Sequence, residues 1–329
     1  MRRRAVVFVV LSCLAIGGIT EPPDQAAAAV PSVTGTKVIV VGDMVPDPAG
    51  GVPLTHARNV AGRAIAERAA AYGFVGDEQY ERGQLRLYQA VFDAVWGPVK
   101  ARSFAATGNH EYGNGTNNGW AATGGGFYDY FGTRALQAGR SYFSFNVMHP
   151  NGTHTHFVVL NSACGSYSGP TWTTPSCARY GAMNNWLRQD LNADKARCEV
   201  ILWHEPAFAT AAPWGGRAAM RIPWWVAEYR GADLVVAGHN HAYEYFYPQT
   251  YQGVRSFTAG TRQVIVGTGG RSLIAFRGKA QANSIFRDAR HFGYLRLTLS
   301  GTGIRTEFVS ETGAVIDRHA FGCKPQTRG

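Results

Sequence analysis

The chain is short of several things that would point its function elsewhere. It has only five cysteines in 329 residues, and none of them sits in a C-x-x-C pair, so thiolate metal ligation of the usual spacing is excluded. There is no long Lys/Arg run and no nucleic-acid-binding signature, although the formal net charge is +10. The basic balance instead suits small anionic substrates or anionic surfaces. No internal repeat or low-complexity tract is present, and no apolar run after the N-terminus reads as a membrane span. With 45% hydrophobic residues the chain has ample material for a core, and 40 glycines imply many loops.

The first 29 residues read as an export signal, followed by a linker over 30–35 and one domain over 36–329. Arg2, Arg3 and Arg4 supply the charged start, Ala5 to Ile19 the apolar run, and Ala26 to Ala29 the small residues of a cleavage site. Leu11 fits lipoprotein processing at Cys13 poorly, and the adjacent arginines leave a twin-arginine route open. Cys13 would leave with the signal, so Cys164, Cys177, Cys198 and Cys323 remain. An even number in an exported chain implies two disulfides, with three pairings open. Cys164–Cys177 is favoured because both lie in one Gly/Ser/Thr/Pro-rich loop, which leaves Cys198–Cys323.

Five stretches rich in apolar residues each run into a polar side chain. They end at Asp43, Asp77, Asn109, His204 and His239, and the last continues to His241. Apolar, β-branched runs of this length read as buried strands, and in open α/β sheets sites lie beyond the carboxyl ends of the strands. These residues therefore share one rim, where carboxylates, an amide and imidazoles can bind two metal ions. Helices are expected over 55–72, 84–96, 184–191 and 218–229, with paired strands over 141–147 and 154–161 and a β-rich tail. The Gly/Asn/Thr-rich stretch 112–126 reads as a mobile or site-covering loop. Early βα units followed by mixed strands suggest two packed mixed β-sheets flanked by helices, a four-layer α/β/β/α sandwich.

The pieces Gly42-Asp43, Gly76-Asp77-Glu78-Gln79-Tyr80, Gly108-Asn109-His110-Glu111, His204 and Gly238-His239-Asn240-His241 occur in the order of the calcineurin-like metallophosphoesterases. Tyr80, three residues after Asp77, makes the chain resemble the purple acid phosphatase branch, in its compact exported bacterial form. The resemblance runs from Thr36 to about Gly270 and implies an acid phosphatase-like hydrolase of phosphorylated small molecules. It implies Asp43, Asp77, Tyr80 and His241 around one metal, and Asp77, Asn109, His204 and His239 around a second. Ferric iron with a divalent ion (zinc, iron or manganese) is the favoured pair. A metal-bound hydroxide would attack phosphorus, and His110 would protonate the leaving oxygen. Phosphodiester cleavage is the alternative, and a non-catalytic binding protein on the same fold a more distant one.

Two departures from the family pattern stand out. Val45 occupies the position where many members carry a ligating His, which makes Tyr80 more necessary. After His204 the chain reads Glu205-Pro206-Ala207-Phe208, without the further histidines of the plant enzymes. Glu111 could orient His110 or cap its loop, and Trp214 is a candidate wall of the substrate pocket. His149, His154 and His156 form a second cluster that reads as hydrogen-bonded strand histidines rather than a third metal site.

Overall fold

Strands with apolar side chains on both faces dictate the layers. In Lys37–Val41 (β2), Val38 and Val40 point one way and Ile39 and Val41 the other, and all four are fully buried. The same alternation recurs in Cys198–Leu202 (β7), Leu234–Ala237 (β8) and Arg262–Val266 (β10). One set packs into a core between two sheets, with Val38, Val40, Leu202, Val236, Val264 and Leu297 among its members. The other faces pack on helices: Ile39, Val41 and Phe74 on one side, Ile201, Val235 and Ile265 on the other. Three apolar interfaces require four layers, as the sequence led us to expect. Fully burying each Val, Leu or Ile stabilises by about 1.5–3 kcal/mol before entropy is charged.

The computed structural model describes residues 32–115, 124–164, 177–210 and 215–325. The expected signal, most of the linker's start, Trp214 and much of the 112–126 loop lie outside these residues. One sheet has six strands, in the order β14 (Val315–Gly322), β13 (Gly303–Ser310), β12 (Gly293–Leu299), β2, β3 (Ala71–Val75) and β4 (Ser103–Ala106). The other has eight: β1 (Ser32–Thr34), β5 (Phe143–Met148), β6 (His154–Val159), β7, β8, β10, β9 (Tyr243–Phe246) and β11 (Ser284–Asp288). β2, β3 and β4 run parallel, as do β6, β7, β8 and β10, so each sheet offers a row of carboxyl ends. β12 pairs antiparallel with β2, so the C-terminal part is built into the same sheet as the strand that leads to Asp43.

Helices α1 (Thr55–Ala66) and α4 (Gly125–Phe131) cover the six-stranded sheet. Between them, α2 (Leu85–Leu87) and α3 (Asp93–Trp96) flank a π turn over Tyr88–Phe92. Helices α5 (Ala182–Ala193) and α6 (Arg221–Arg230) cover the larger sheet. Two expectations need correction. The helix expected over 55–72 ends at Ala66, because Arg68 adopts a positive φ of 52° and Ala71 already belongs to β3. The expected linker over 30–35 holds β1, which pairs in parallel with β5.

Both favoured disulfides are present, Cys164–Cys177 and Cys198–Cys323, each with a Cα–Cα distance of 5.2 Å. The second closes a loop of 125 residues and ties the C-terminal end to the start of β7. The chain-entropy model gives such a link about 4–5 kcal/mol of stability. Among the described residues no helix is long and apolar enough to cross a membrane.

Candidate metal centre

The carboxyl ends of β2, β3, β4, β7 and β8 converge where the two sheets meet. His204, just past β7, donates through Nδ1 to the Val75 carbonyl at the end of β3, 2.8 Å away, so its Nε2 lone pair faces the gap between the sheets. Asp43, Asp77 and His239 leave their strands with φ of 57°, 53° and 68°. That left-handed turn is costly for non-glycine residues and recurs at functional sites. It swings each side chain back over its own strand end.

One oxygen of each carboxylate is pinned by a backbone amide. His239 N–H donates to Asp43 Oδ2 at 2.8 Å, and His110 N–H donates to Asp77 Oδ1 at 2.9 Å. The preceding glycines permit this approach. A Cβ on Gly238 would lie 2.6 Å from Asp43 Oδ2, and one on Gly108 only 2.1 Å from Asp77 Oδ1. The other two carboxylate oxygens are left to face the gap.

Two groups of donor atoms result, and they share one atom. In the first, Tyr80 Oη lies 2.9 Å from Asp43 Oδ1, 3.1 Å from Asp77 Oδ2 and 3.0 Å from His241 Nε2. In the second, Asn109 Oδ1 lies 3.1 Å from His204 Nε2 and 2.9 Å from His239 Nδ1, and Asp77 Oδ2 lies 3.3 Å from His204 Nε2. Asp77 Oδ2 belongs to both. Facing lone pairs on carboxylates, imidazoles and an amide repel one another unless protons or cations lie between them. In the first group, one phenolic proton serves three acceptors. The donor chemistry therefore fits two cations. All seven residues named from the sequence as metal ligands come together, and all lie at the interface of the two sheets.

The electrostatics follow from this crowding. Burial raises the Asp77 pKa, but the His204 and His110 charges outweigh it and hold the carboxyl well below its usual range. Burial pulls His204 down, yet Asp77 prevails and pushes it to about 9. Burial and the neighbouring His204 push His239 down to about 4. Burial, then the charges of Asp43 and Asp77, hold the Tyr80 phenol well above 10. Without a cation the phenol keeps its proton, and a cation would reverse that preference.

His110 stays beside the donor groups. It donates through Nδ1 to the Glu81 carbonyl at 2.7 Å, packs on the Tyr80 ring at 4.3 Å between centroids, and holds Nε2 3.9 Å from Asp77 Oδ2. Its orienting partner is therefore Glu81. Glu111, offered from the sequence as that partner or as a loop cap, is the cap. Its carboxylate is fully buried and accepts from the N–H groups of Asp77 (2.8 Å), Glu78 (3.0 Å) and Gly108 (2.8 Å) and from the Tyr88 hydroxyl (2.9 Å). Sequence reading missed Glu78, Tyr88 and Ser272. Glu78 is buried beside Glu111, and burial followed by that neighbour's charge holds its pKa well above the carboxylate range. Ser272 places its hydroxyl 2.6 Å from His241 Nδ1 and so fixes that ring.

Glu111→Ala would leave three buried N–H groups and a hydroxyl without their acceptor. At ~1–3 kcal/mol per unmet group, the expected loss is about 4 kcal/mol or more in chemical denaturation. A loss under about 1 kcal/mol would contradict the capping role.

Other sequence candidates lie apart. Val45 is buried in the apolar cluster under α1, and its carbonyl accepts from the Tyr80 N–H at 3.0 Å. His154 and His156 bond to Asp194 and Asp190 at 2.9 Å each, and His149 bonds the Gly35 carbonyl and Thr155, as expected of hydrogen-bonded strand histidines.

Comparison with known proteins agrees with this fold. The chain is similar, at 21% identity and a TM-score of 0.65, to a purple acid phosphatase from yellow lupin seeds, over 89% of this chain and 54% of that one. The chain thus spans about half the length of the lupin protein. It is also similar to GAP50, the anchor in the inner membrane complex of Plasmodium, at 16% identity and a TM-score of 0.61, over 89% and 90% of the two chains. A dimetal phosphatase from Danio rerio matches at 11% identity and a TM-score of 0.52, over 88% and 99%. No curated protein matches the chain. Residues 260–318 match the family described as Iron/zinc purple acid phosphatase-like protein C. Residues 36–243 match Calcineurin-like phosphoesterase, a stretch that contains all seven donor residues. That match covers more than half of the chain, and it places this protein among the calcineurin-like metallophosphoesterases, with a purple acid phosphatase-like C-terminal part.

Proposed function

We propose that this protein is an exported dinuclear phosphohydrolase that cleaves phosphate monoesters. The observation that carries the reading is the single oxygen, Asp77 Oδ2, common to two groups of donor atoms. Asp43, Tyr80 and His241 would complete one metal site, and Asn109, His204 and His239 the other. Two bound cations would supply neutralisation of the phosphoryl charge and an acidic water as nucleophile. The chain's residues do the rest. Backbone amides hold Asp43 and Asp77 in place, and the Val75 carbonyl sets the tautomer of His204. The Glu81 carbonyl holds His110 with Nε2 toward the site, where it can give a proton to the leaving oxygen.

The monoester preference draws on the purple acid phosphatase-like match of the C-terminal part. A non-catalytic binding protein on the same fold is disfavoured because every donor side chain is in place. Export draws on the apolar N-terminal run and the two disulfides. The test is a pair of assays with a simple aryl phosphate monoester and the matching diester. The monoester should turn over faster, and hydrolysis of the diester alone, or of neither, would overturn the proposal.

The finer metal assignment rests on Tyr80. A phenol held well above its ordinary pKa ionises only against a strongly acidic cation, and ferric iron meets that need better than zinc. Wild type should therefore contain iron and show a visible pink to purple absorption, and Tyr80→Phe should bleach it and weaken iron binding. Colourless, fully active protein without iron would contradict the ferric assignment.

A further inference from the structure

Arg271 stands beside the donor atoms with no part in the chemistry above. It lies in the turn after β10, inside the C-terminal stretch matched as purple acid phosphatase-like. Its own N–H donates to the Asp43 carbonyl at 3.2 Å, and three residues on, the Ile274 N–H donates to the His241 carbonyl at 2.9 Å. With Ser272 on His241, this turn is stitched to the first donor group at three points. Position alone therefore brings the Arg271 side chain to the rim.

Its guanidinium lies over the Tyr80 ring, 5.1 Å from the centroid, and the same ring packs on His110. Nη2 pairs with the Glu81 carboxylate, which is its ion-pair partner among the described residues and is 40% exposed. Glu81 thus serves two groups at once: its carbonyl fixes His110, and its carboxylate fixes Arg271. A guanidinium has five N–H donors. Here Nε is buried with no hydrogen-bond partner among the described residues, and the side chain keeps 21% exposure. A cation with an unmet donor beside the donor cluster is a poor structural device, because an unmet buried donor is costly. It is well suited to an anion, since guanidinium matches phosphate geometry with paired N–H bonds.

Resting on the phosphohydrolase reading, we infer that Arg271 anchors the phosphoryl oxygens of the substrate and selects doubly charged monoesters over singly charged diesters. Glu81 holds the guanidinium in place, and its exposed part meets the phosphate. A monoester offers one more negative charge and one more free oxygen than a diester, so Arg271 discriminates between them by charge and by donor count.

The experiment uses wild type, Arg271→Ala and Arg271→Lys, each metal-replete, with metal content and thermal melting checked. Two readouts are taken: KM and kcat on an aryl phosphate monoester and its diester, and calorimetric binding of inorganic phosphate. Arg271→Ala should weaken phosphate binding and raise the monoester KM by about 10- to 100-fold, with the diester KM changed less than about threefold. Arg271→Lys keeps the charge without the planar fork and should recover part of the loss. Equal losses on both esters, or unchanged phosphate binding, would overturn the inference. So would metal loss in both variants, which would make Arg271 a support of the cradle. A wild type that binds phosphate through Arg271 yet hydrolyses neither ester would overturn the phosphohydrolase reading and leave the anchor standing.

Discussion

Asp77→Ala should strip at least one metal ion from the protein and reduce turnover by more than about 10³-fold, the scale for losing a member of a unit that acts together. The reason is local. Asp77 Oδ2 touches Tyr80 on one side and His204 on the other, so one deletion removes a ligand from both groups. The fold should persist, because the three apolar cores and the Cys198–Cys323 link do not pass through this side chain. Asp77 has φ of 53°, where Ala is strained, so Asp77→Asn is the needed companion. Asn tolerates that backbone and can still accept from the His110 N–H, but it brings no charge. Both variants should lose metal. Retention of two metals with normal turnover in Asp77→Asn would remove Asp77 from the bridging role.

His110→Ala should behave differently. Both metals should stay, because His110 bonds the Glu81 carbonyl and keeps Nε2 3.9 Å from Asp77 Oδ2 instead of joining either donor group. Turnover on an ester with a poor leaving group should fall by about 10²–10⁴-fold, the range for a lost general acid. The deficit should shrink for an ester whose leaving group needs no proton. Metal loss in this variant would make His110 a ligand, and a deficit independent of the leaving group would deny it the acid role.

Much of this site was legible because its strands are buried on both faces. β2, β7 and β8 read as short apolar runs, and each ended in a glycine or directly in the polar residue that mattered. The donor residues are local in sequence to their strand ends, so a strand and its exit suffice to place them. Residues that act across the fold were not legible. Glu111 caps amides 33 and 34 residues away, and no short-range pattern carries that pairing. Arg271 and Ser272 reach the site only because β10 lies beside β8. The strand β9 was hidden because it begins two residues after His241, where the motif draws the eye to a loop. The end of α1 was misplaced because Ala71 to Val75 continues the apolar run of the helix, and only the turn at Arg68 separates them.

The central claim is that one carboxylate joins two metal sites at the meeting of two sheets. Anomalous diffraction from crystals of protein purified without added metal tests it most directly. Two peaks should appear, one among Asp43, Tyr80 and His241 and one among Asn109, His204 and His239, with Asp77 bound to both. A single peak, or two peaks with Asp77 bound to neither, would contradict it.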